Sequence, residues 1–97
     1  MVQKMDYIWF DGKLVGWNEA NVHVLSHVLH YGTGVFEGIR SYKVDDSTSS
    51  VFRLREHVER LIHSGKIIEM HIPYSVDEII EAITLTLTKN GQADGYI

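Results

Sequence analysis

His30-Tyr31-Gly32-Thr33-Gly34-Val35-Phe36-Glu37-Gly38-Ile39-Arg40 is the most informative stretch of this chain. It opens on a glycine-bearing turn and runs directly into a strand-like segment. Side chains alternate faces along a strand, so Phe36, Gly38 and Arg40 share one side while Val35, Glu37 and Ile39 share the other. An aromatic ring, a gap without a side chain and a guanidinium in a row make an odd core surface. They suit the floor of a pocket for an anionic or polar small molecule.

Working outward, the strand is expected to run from about Gly34 to Val44. Asp45-Asp46-Ser47-Thr48-Ser49-Ser50 is a polar cluster whose side chains bond local backbone and favour a turn. Val51-Phe52-Arg53 then reads as the returning arm of a hairpin. On the other side, Asn21 to Tyr31 is apolar and carries His23, His27 and His30 at helical spacing. Histidines at i and i+4 can share a metal ion, but no carboxylate or cysteine lies nearby to complete a site. A short helical turn that positions the glycine-bearing loop accounts for the segment, and no metal site is expected. Further back, Tyr7-Ile8-Trp9-Phe10 and Lys13-Leu14-Val15-Gly16-Trp17 flank Asp11-Gly12, a strong hairpin signal.

Downstream, Leu54, Val58, Leu61, Ile62 and Ile68 recur at three- and four-residue steps, predicting a helix over 54–70 with one buried stripe. Pro73 forbids its continuation. Ser75-Val76-Asp77-Glu78 fits a capping box at the start of a second helix. Val76, Ile79, Ile80, Ile83 and Leu87 form that helix's apolar face, and Gly91 fits a left-handed stop after Asn90. Thr84-Leu85-Thr86-Leu87-Thr88 alternates like a strand, yet the cap and the terminal glycine decide for helix. Asp94-Gly95-Tyr96-Ile97 reads as the opening of another strand, and the chain reads as a fragment of a longer one. Two hairpins, two helices and a strand predict an α+β fold: an antiparallel sheet with helices packed on one face.

Bulk properties narrow the function classes. The chain has 97 residues, 44% of them hydrophobic and 23% charged, with a net charge of −4. That allows one domain with one modest core. No basic stripe is present, which argues against nucleic acid as a partner. No run of about 18 apolar residues suggests a membrane span, and the N-terminal residues lack the apolar core of a signal peptide. Zero cysteines exclude disulfides and thiolate metal sites within these residues. A cytoplasmic location is expected.

Several side chains are candidates for binding. Arg53, just before the first long helix, and Arg55 and Arg60 within it include one that could hold a phosphate as a bidentate fork. Spacing alone favours Glu56 and Arg60 as a surface ion pair. Tyr31 and Tyr96 each join an aromatic body to a hydroxyl donor, as a pocket needing packing and one directed hydrogen bond would require. Tyr42 falls on the face of Phe36 and Arg40. A guanidinium at Arg40 must be paired if buried, so either a carboxylate elsewhere in the protein or a bound ligand should meet it.

The chain from Tyr7 to Ile97 resembles the N-terminal part of the branched-chain amino acid aminotransferases, class IV enzymes of the fold-type IV pyridoxal-phosphate group. The resemblance rests on Tyr7-Ile8-Trp9-Phe10-Asp11-Gly12, on Val22-His23-Val24-Leu25-Ser26-His27, on the core from Tyr31 to Arg40, and on Phe52-Arg53-Leu54-Arg55-Glu56-His57. It implies the small N-terminal domain of the D-amino-acid-aminotransferase-like fold, spanning 1–97, incomplete and without its C-terminal domain. It implies pyridoxal 5'-phosphate as cofactor and an amino group moved between Leu, Ile or Val and 2-oxoglutarate. It also implies a homodimer, or other homo-oligomer, with a site shared between subunits.

By the same resemblance Arg60 grips the cofactor phosphate, in place of the surface ion pair that spacing favours. Phe36 walls the hydrophobic substrate pocket with Gly38 and Arg40 beside it. Tyr31 reaches into the neighbouring subunit's pocket, and Tyr96 helps hold the substrate carboxylate. No catalytic residue is expected in these 97 residues. The family's Schiff-base lysine lies further along the sequence, and none of Lys4, Lys13, Lys43, Lys66 or Lys89 matches it, so this stretch alone should be inactive. Two alternatives stand beside this reading. One is a non-catalytic binding or assembly module of the same fold. The other is a D-amino acid aminotransferase or aminodeoxychorismate lyase, disfavoured by Thr33 and Arg40.

Overall fold

Asp11 and Gly12 turn the chain with both φ angles positive, at 51° and 96°, the two-residue geometry whose twist matches that of paired strands. The computed structural model describes residues 4–92 and 94–97. In it β1 (Tyr7–Phe10) and β2 (Lys13–Gly16) pair antiparallel across that turn, with Trp9 opposite Leu14. A short 3-10 turn follows at Trp17–Glu19, where the Glu19 carboxylate accepts the Gly16 N–H at 3.0 Å.

The short helix α1 spans His27–Tyr31, so of the three histidines only His27 and His30 are helical. Their ring nitrogens are engaged locally. His30 Nε2 donates to the Val24 carbonyl at 2.7 Å, His27 Nδ1 pairs with Thr33 Oγ1 at 2.6 Å, and the His27 ring stacks on Tyr31.

The strand expected over 34–44 is shorter as a ladder: β3 covers Arg40–Lys43. Its antiparallel neighbours are β4 (Ser49–Val51) and β5 (Gly95–Tyr96), and both are too short to pair with the residues before Ile39. The side-chain alternation nevertheless continues through 35–41. Ile39 and Ser41 are buried, Val35 and Glu37 partly so, and Phe36 and Gly38 are exposed. The returning arm lies two residues earlier than 51–53. The turn closes early because the Val44 and Asp45 N–H groups donate to the Thr48 carbonyl at 2.9 and 3.1 Å, with Asp45 accepting from Ser47. Phe52 and Arg53 leave the sheet, Arg53 with φ at 51°.

Helix α2 spans Leu54–Ile67 and α3 spans Val76–Asn90. The first ends before Pro73 can act: Glu69 turns left-handed and the Met70 N–H folds back to the Gly65 carbonyl at 2.8 Å. The capping box is present, with Ser75 Oγ accepting from the Glu78 N–H and Glu78 Oε1 from the Ser75 N–H, each at 3.1 Å. The threonines read as a possible strand are helical because each hydroxyl donates one turn back. Thr84, Thr86 and Thr88 reach the carbonyls of Ile80, Ala82 and Thr84.

The architecture is α+β with antiparallel pairing throughout, the strands divided between the β1-β2 hairpin and a β4-β3-β5 sheet. α3 packs against α2 and β1, with Val58, Ile39 and Ala82 buried. Asn90 ties hairpin to helix: its Oδ1 accepts the N–H groups of Asp6 and Tyr7, and its Nδ2 donates to the carbonyls of Tyr7 and Thr86. Trp9 meets Tyr74 edge-on at 5.1 Å. Among the described residues no helix is long and apolar enough to cross a membrane.

Candidate functional site

Three glycines shape the way into the candidate site. Gly32 ends α1 at φ 67°, where its N–H meets the Val28 carbonyl at 2.9 Å; the left-handed region admits glycine without strain. At Gly34 a Cβ would stand 2.9 Å from Val28 Cγ2, so the turn folds tightly onto α1. At Gly38, in contrast, a Cβ would meet nothing within 4 Å. The gap there is on the outward face and is not filled by any of the described residues.

That face carries an exposed ring and a guanidinium. Phe36 is 89% exposed, with Arg40 and Tyr42 following on the same side. Strand pairing sets Arg40 opposite Tyr96. The Arg40 guanidinium lies 4.7 Å over the Tyr96 ring and 5.6 Å from that of Tyr42. Asp94 stands 3.6 Å away, at the edge of ion-pair range. Arg40 is half-buried rather than enclosed, and both aromatic faces and a carboxylate answer its charge. Two tyrosine rings, an exposed phenyl and a guanidinium thus share one surface. It can pack an apolar side chain and attract a carboxylate.

Tyr31 is 72% exposed at the end of α1, and Val24, Leu25, Val28 and Leu29, which precede it in the chain, are exposed as well. A separate cavity of about 620 Å³ lies among Ile8, Trp9, Trp17, Ile79, Ile83 and Leu87. Tyr96 alone of the expected site residues touches it.

The opposite side of the same segment is ionic. Glu37, only 8% exposed in its side chain, accepts from Arg60 twice: Nε to Oε2 at 2.8 Å and Nη2 to Oε1 at 2.7 Å. His57 Nδ1 adds a third contact to Oε1 at 2.9 Å. A carboxylate can only accept, so Nδ1 of His57 carries the proton. The hydrogen bonds from Arg60, then those from His57, hold the Glu37 carboxyl down at about 2 from an ordinary 4.5. Hydrogen bonding to Glu37 raises the Arg60 guanidinium in turn.

Arg60 is therefore not the partner of Glu56, which instead faces Arg53 at 3.7 Å, while Arg55 pairs with Asp77 at 2.8 Å. Of the three arginines considered for a phosphate, Arg60 is bound edge-on by a buried carboxylate. Its side chain still stands 65% exposed. Among the described residues Nη1 has no protein hydrogen-bond partner.

Glu37 and His57 were not among the expected site residues. The signal for Glu37 was present: a carboxylate between Val35 and Ile39 on an inward face needs a cation. What the sequence did not show is which of the arginines supplies it. Among the described residues no cluster of three or more His, Asp or Glu could hold a metal ion.

Comparison with known proteins gives the family. Residues 34–97 match the model of the amino-transferase class IV family. The chain is 47% identical over 97 residues to the branched-chain-amino-acid aminotransferase of Pseudomonas aeruginosa, covering 100% of this chain and 31% of that protein. The crystal structure of the Escherichia coli branched-chain amino acid aminotransferase superposes with a TM-score of 0.91 at 49% identity, over 96% of this chain and 30% of that one. The branched-chain amino acid aminotransferase from Thermobaculum terrenum, in its PLP-containing holo form, gives a TM-score of 0.84 at 34% identity, over 95% of this chain and 31% of its own. The chain thus spans about a third of the length of the relatives it matches. Over that span the matched region contains the Phe36–Arg40 face, the Glu37–Arg60 pair and β5, and the chain belongs to the class IV aminotransferase family.

Proposed function

We propose that these residues form the small N-terminal domain of a pyridoxal-phosphate-dependent branched-chain amino acid aminotransferase. The full-length protein would exchange an amino group between Leu, Ile or Val and 2-oxoglutarate. The observation that carries this reading is the two-sided segment 35–41. It presents Phe36, Gly38 and Arg40 outward and holds Arg60 inward through Glu37. One short stretch thus joins a substrate surface to an arginine suited to a phosphate.

The residues fit the cofactor's phosphate end. Arg60 is exposed, charged, and leaves one guanidinium edge for an anion, so it would hold the phosphate. When bound, pyridoxal phosphate supplies the electron sink that makes amino transfer possible. The lysine it requires would come from a C-terminal domain beyond these residues. The work of this chain is binding and orientation. Phe36 packs the branched aliphatic side chain, with Gly38 leaving it room. Arg40 and Tyr96 present a cation and a hydroxyl to a carboxylate, of the substrate or of the second carboxylate of glutamate.

Tyr31 would complete the site of a second subunit in a cytoplasmic homo-oligomer. The exposed apolar side chains of Val24, Leu25, Val28 and Leu29, which lie just before it in the chain, support burial of this segment against another part of the assembly.

The test uses the full-length protein. It should bind pyridoxal phosphate with the visible absorbance of the lysine-bound cofactor and transaminate leucine with 2-oxoglutarate. Failure to bind the cofactor would leave the assembly-module reading in its place. Activity confined to D-amino acids would move the protein to another branch of the family.

A further inference from the structure

The role of Glu37 deepens the proposed function and rests on its reading of Arg60 as the phosphate residue. A guanidinium carries five N–H donors in one plane. Glu37 takes the edge formed by Nε and Nη2, one oxygen to each nitrogen. Among the described residues the edge formed by Nη1 and the remaining Nη2 hydrogen meets no acceptor, since His57 Nδ1, 3.5 Å from Nη2, carries the proton it gives to Glu37. That edge is a second planar fork of the kind that matches two phosphate oxygens. Arg60 is otherwise a long side chain, 65% exposed on the surface of α2, with many rotamers open to it. Glu37 is held on its own account. Its side chain is 8% exposed, it is carried by a different segment of the chain, and His57, one turn before Arg60 on α2, grips its Oε1.

We propose that Glu37, steadied by His57, is the positioning residue that aims the free edge of Arg60 at a phosphate monoester. Because Glu37 lies between Phe36 and Gly38, it also ties the grip on the phosphate to the placement of the substrate wall. Charge alone makes the opposite prediction. A carboxylate beside a phosphate site repels the phosphate, so neutralising Glu37 should tighten binding if Coulomb attraction were all that mattered. If aim matters more, neutralising it weakens binding. The sign of the effect separates the two.

The experiment titrates the full-length apoprotein with pyridoxal 5'-phosphate and, separately, with pyridoxal, which lacks the phosphate. In Glu37→Gln the Kd for pyridoxal 5'-phosphate should rise about tenfold or more, the scale seen when the partner that orients a binding group is removed. The Kd for pyridoxal should stay where it was, which a general loss of structure would not allow. In an Arg60→Ala background, Glu37→Gln should add nothing further, because its effect passes through Arg60. His57→Phe keeps the carboxylate and removes one of its anchors, so it serves if Glu37→Gln folds poorly. It should weaken pyridoxal 5'-phosphate by roughly threefold, one hydrogen bond's worth.

Unchanged or tighter binding of pyridoxal 5'-phosphate in Glu37→Gln, with Arg60→Ala clearly weakened, overturns the role given to Glu37 and leaves that of Arg60 intact. Equal weakening for pyridoxal and its phosphate also overturns it. Unchanged affinity in Arg60→Ala overturns the assignment of Arg60, and that of Glu37 with it.

Discussion

Replacing Asn90 by alanine would detach the N-terminal hairpin from α3. The Asn90 amide makes four hydrogen bonds of 2.8–3.0 Å, three of them to Asp6 and Tyr7 at the edge of β1 and one to Thr86 on its own helix. The Thr86 contact lies within α3 and counts for little. Each of the three bonds to the hairpin contributes roughly 0.5–1 kcal/mol, the lower part of the usual range because water can reach them. Against this, alanine is the better helix former by up to about 0.6 kcal/mol, and less at the last residue of a helix.

The expected net loss for Asn90→Ala is about 1–2.5 kcal/mol. Asn90→Asp separates the contributions. It keeps an acceptor for the two N–H groups, but sets a second oxygen against the carbonyls of Tyr7 and Thr86 and puts negative charge at a helix C-terminus. Its loss should be at least as large. Urea unfolding followed by tryptophan fluorescence measures both, since Trp9 lies in the hairpin and Trp17 directly follows it. Native-state hydrogen exchange at the Tyr7 amide reports the local opening. A change below about 0.5 kcal/mol for Asn90→Ala, the range of an ordinary surface substitution, would refute the clamp.

Three further outcomes follow from the site. Arg60→Ala in the full-length protein should weaken pyridoxal phosphate by about 2–4 kcal/mol, the loss of charge-assisted contacts to a phosphate, read from a cofactor titration. Gly38→Ala places a methyl group where none of the described residues lies within 4 Å. Stability should hold or rise by up to about 1 kcal/mol while kcat/KM for leucine falls, and a parallel loss of both would show that Gly38 is structural. The carboxyl of Glu37 is held at about 2, well below its ordinary 4.5. Its ion pair therefore contributes stability that is fully present above about pH 4.5 and is lost as pH falls through 2. Melting temperatures between pH 5 and 2 should drop less steeply in Glu37→Gln than in the parent protein, and identical slopes would contradict the pairing.

Much of this fold is local, and local features are legible. The Asp11-Gly12 hairpin, the Ser75 cap, the Gly91 stop and the alternation through Phe36, Gly38 and Arg40 depend on neighbours in sequence, and all are present. The structure departs from these local patterns where distant partners intervene. The segment 34–39 has strand-like side-chain alternation but no ladder, because β4 and β5 are too short to reach it. Arg60 pairs with Glu37 rather than with Glu56 one helical turn away, because Glu37 is buried and presents both oxygens.

Periodicity and residues adjacent in the chain were enough for the N-terminal hairpin, the two long helices to within a few residues, the outward face of Phe36, Gly38 and Arg40, and the family resemblance of that core. They were not enough for the extent of the central strand or of its returning arm. Three other features came from packing: Asn90 clamps the hairpin, Tyr96 comes to lie beneath Arg40, and Glu37 joins His57 and Arg60. Each of those contacts spans between 20 and 84 residues. At such separations the partner of a charged or polar group is chosen by how helices and strands pack, since several candidates of equal chemistry are present in the sequence.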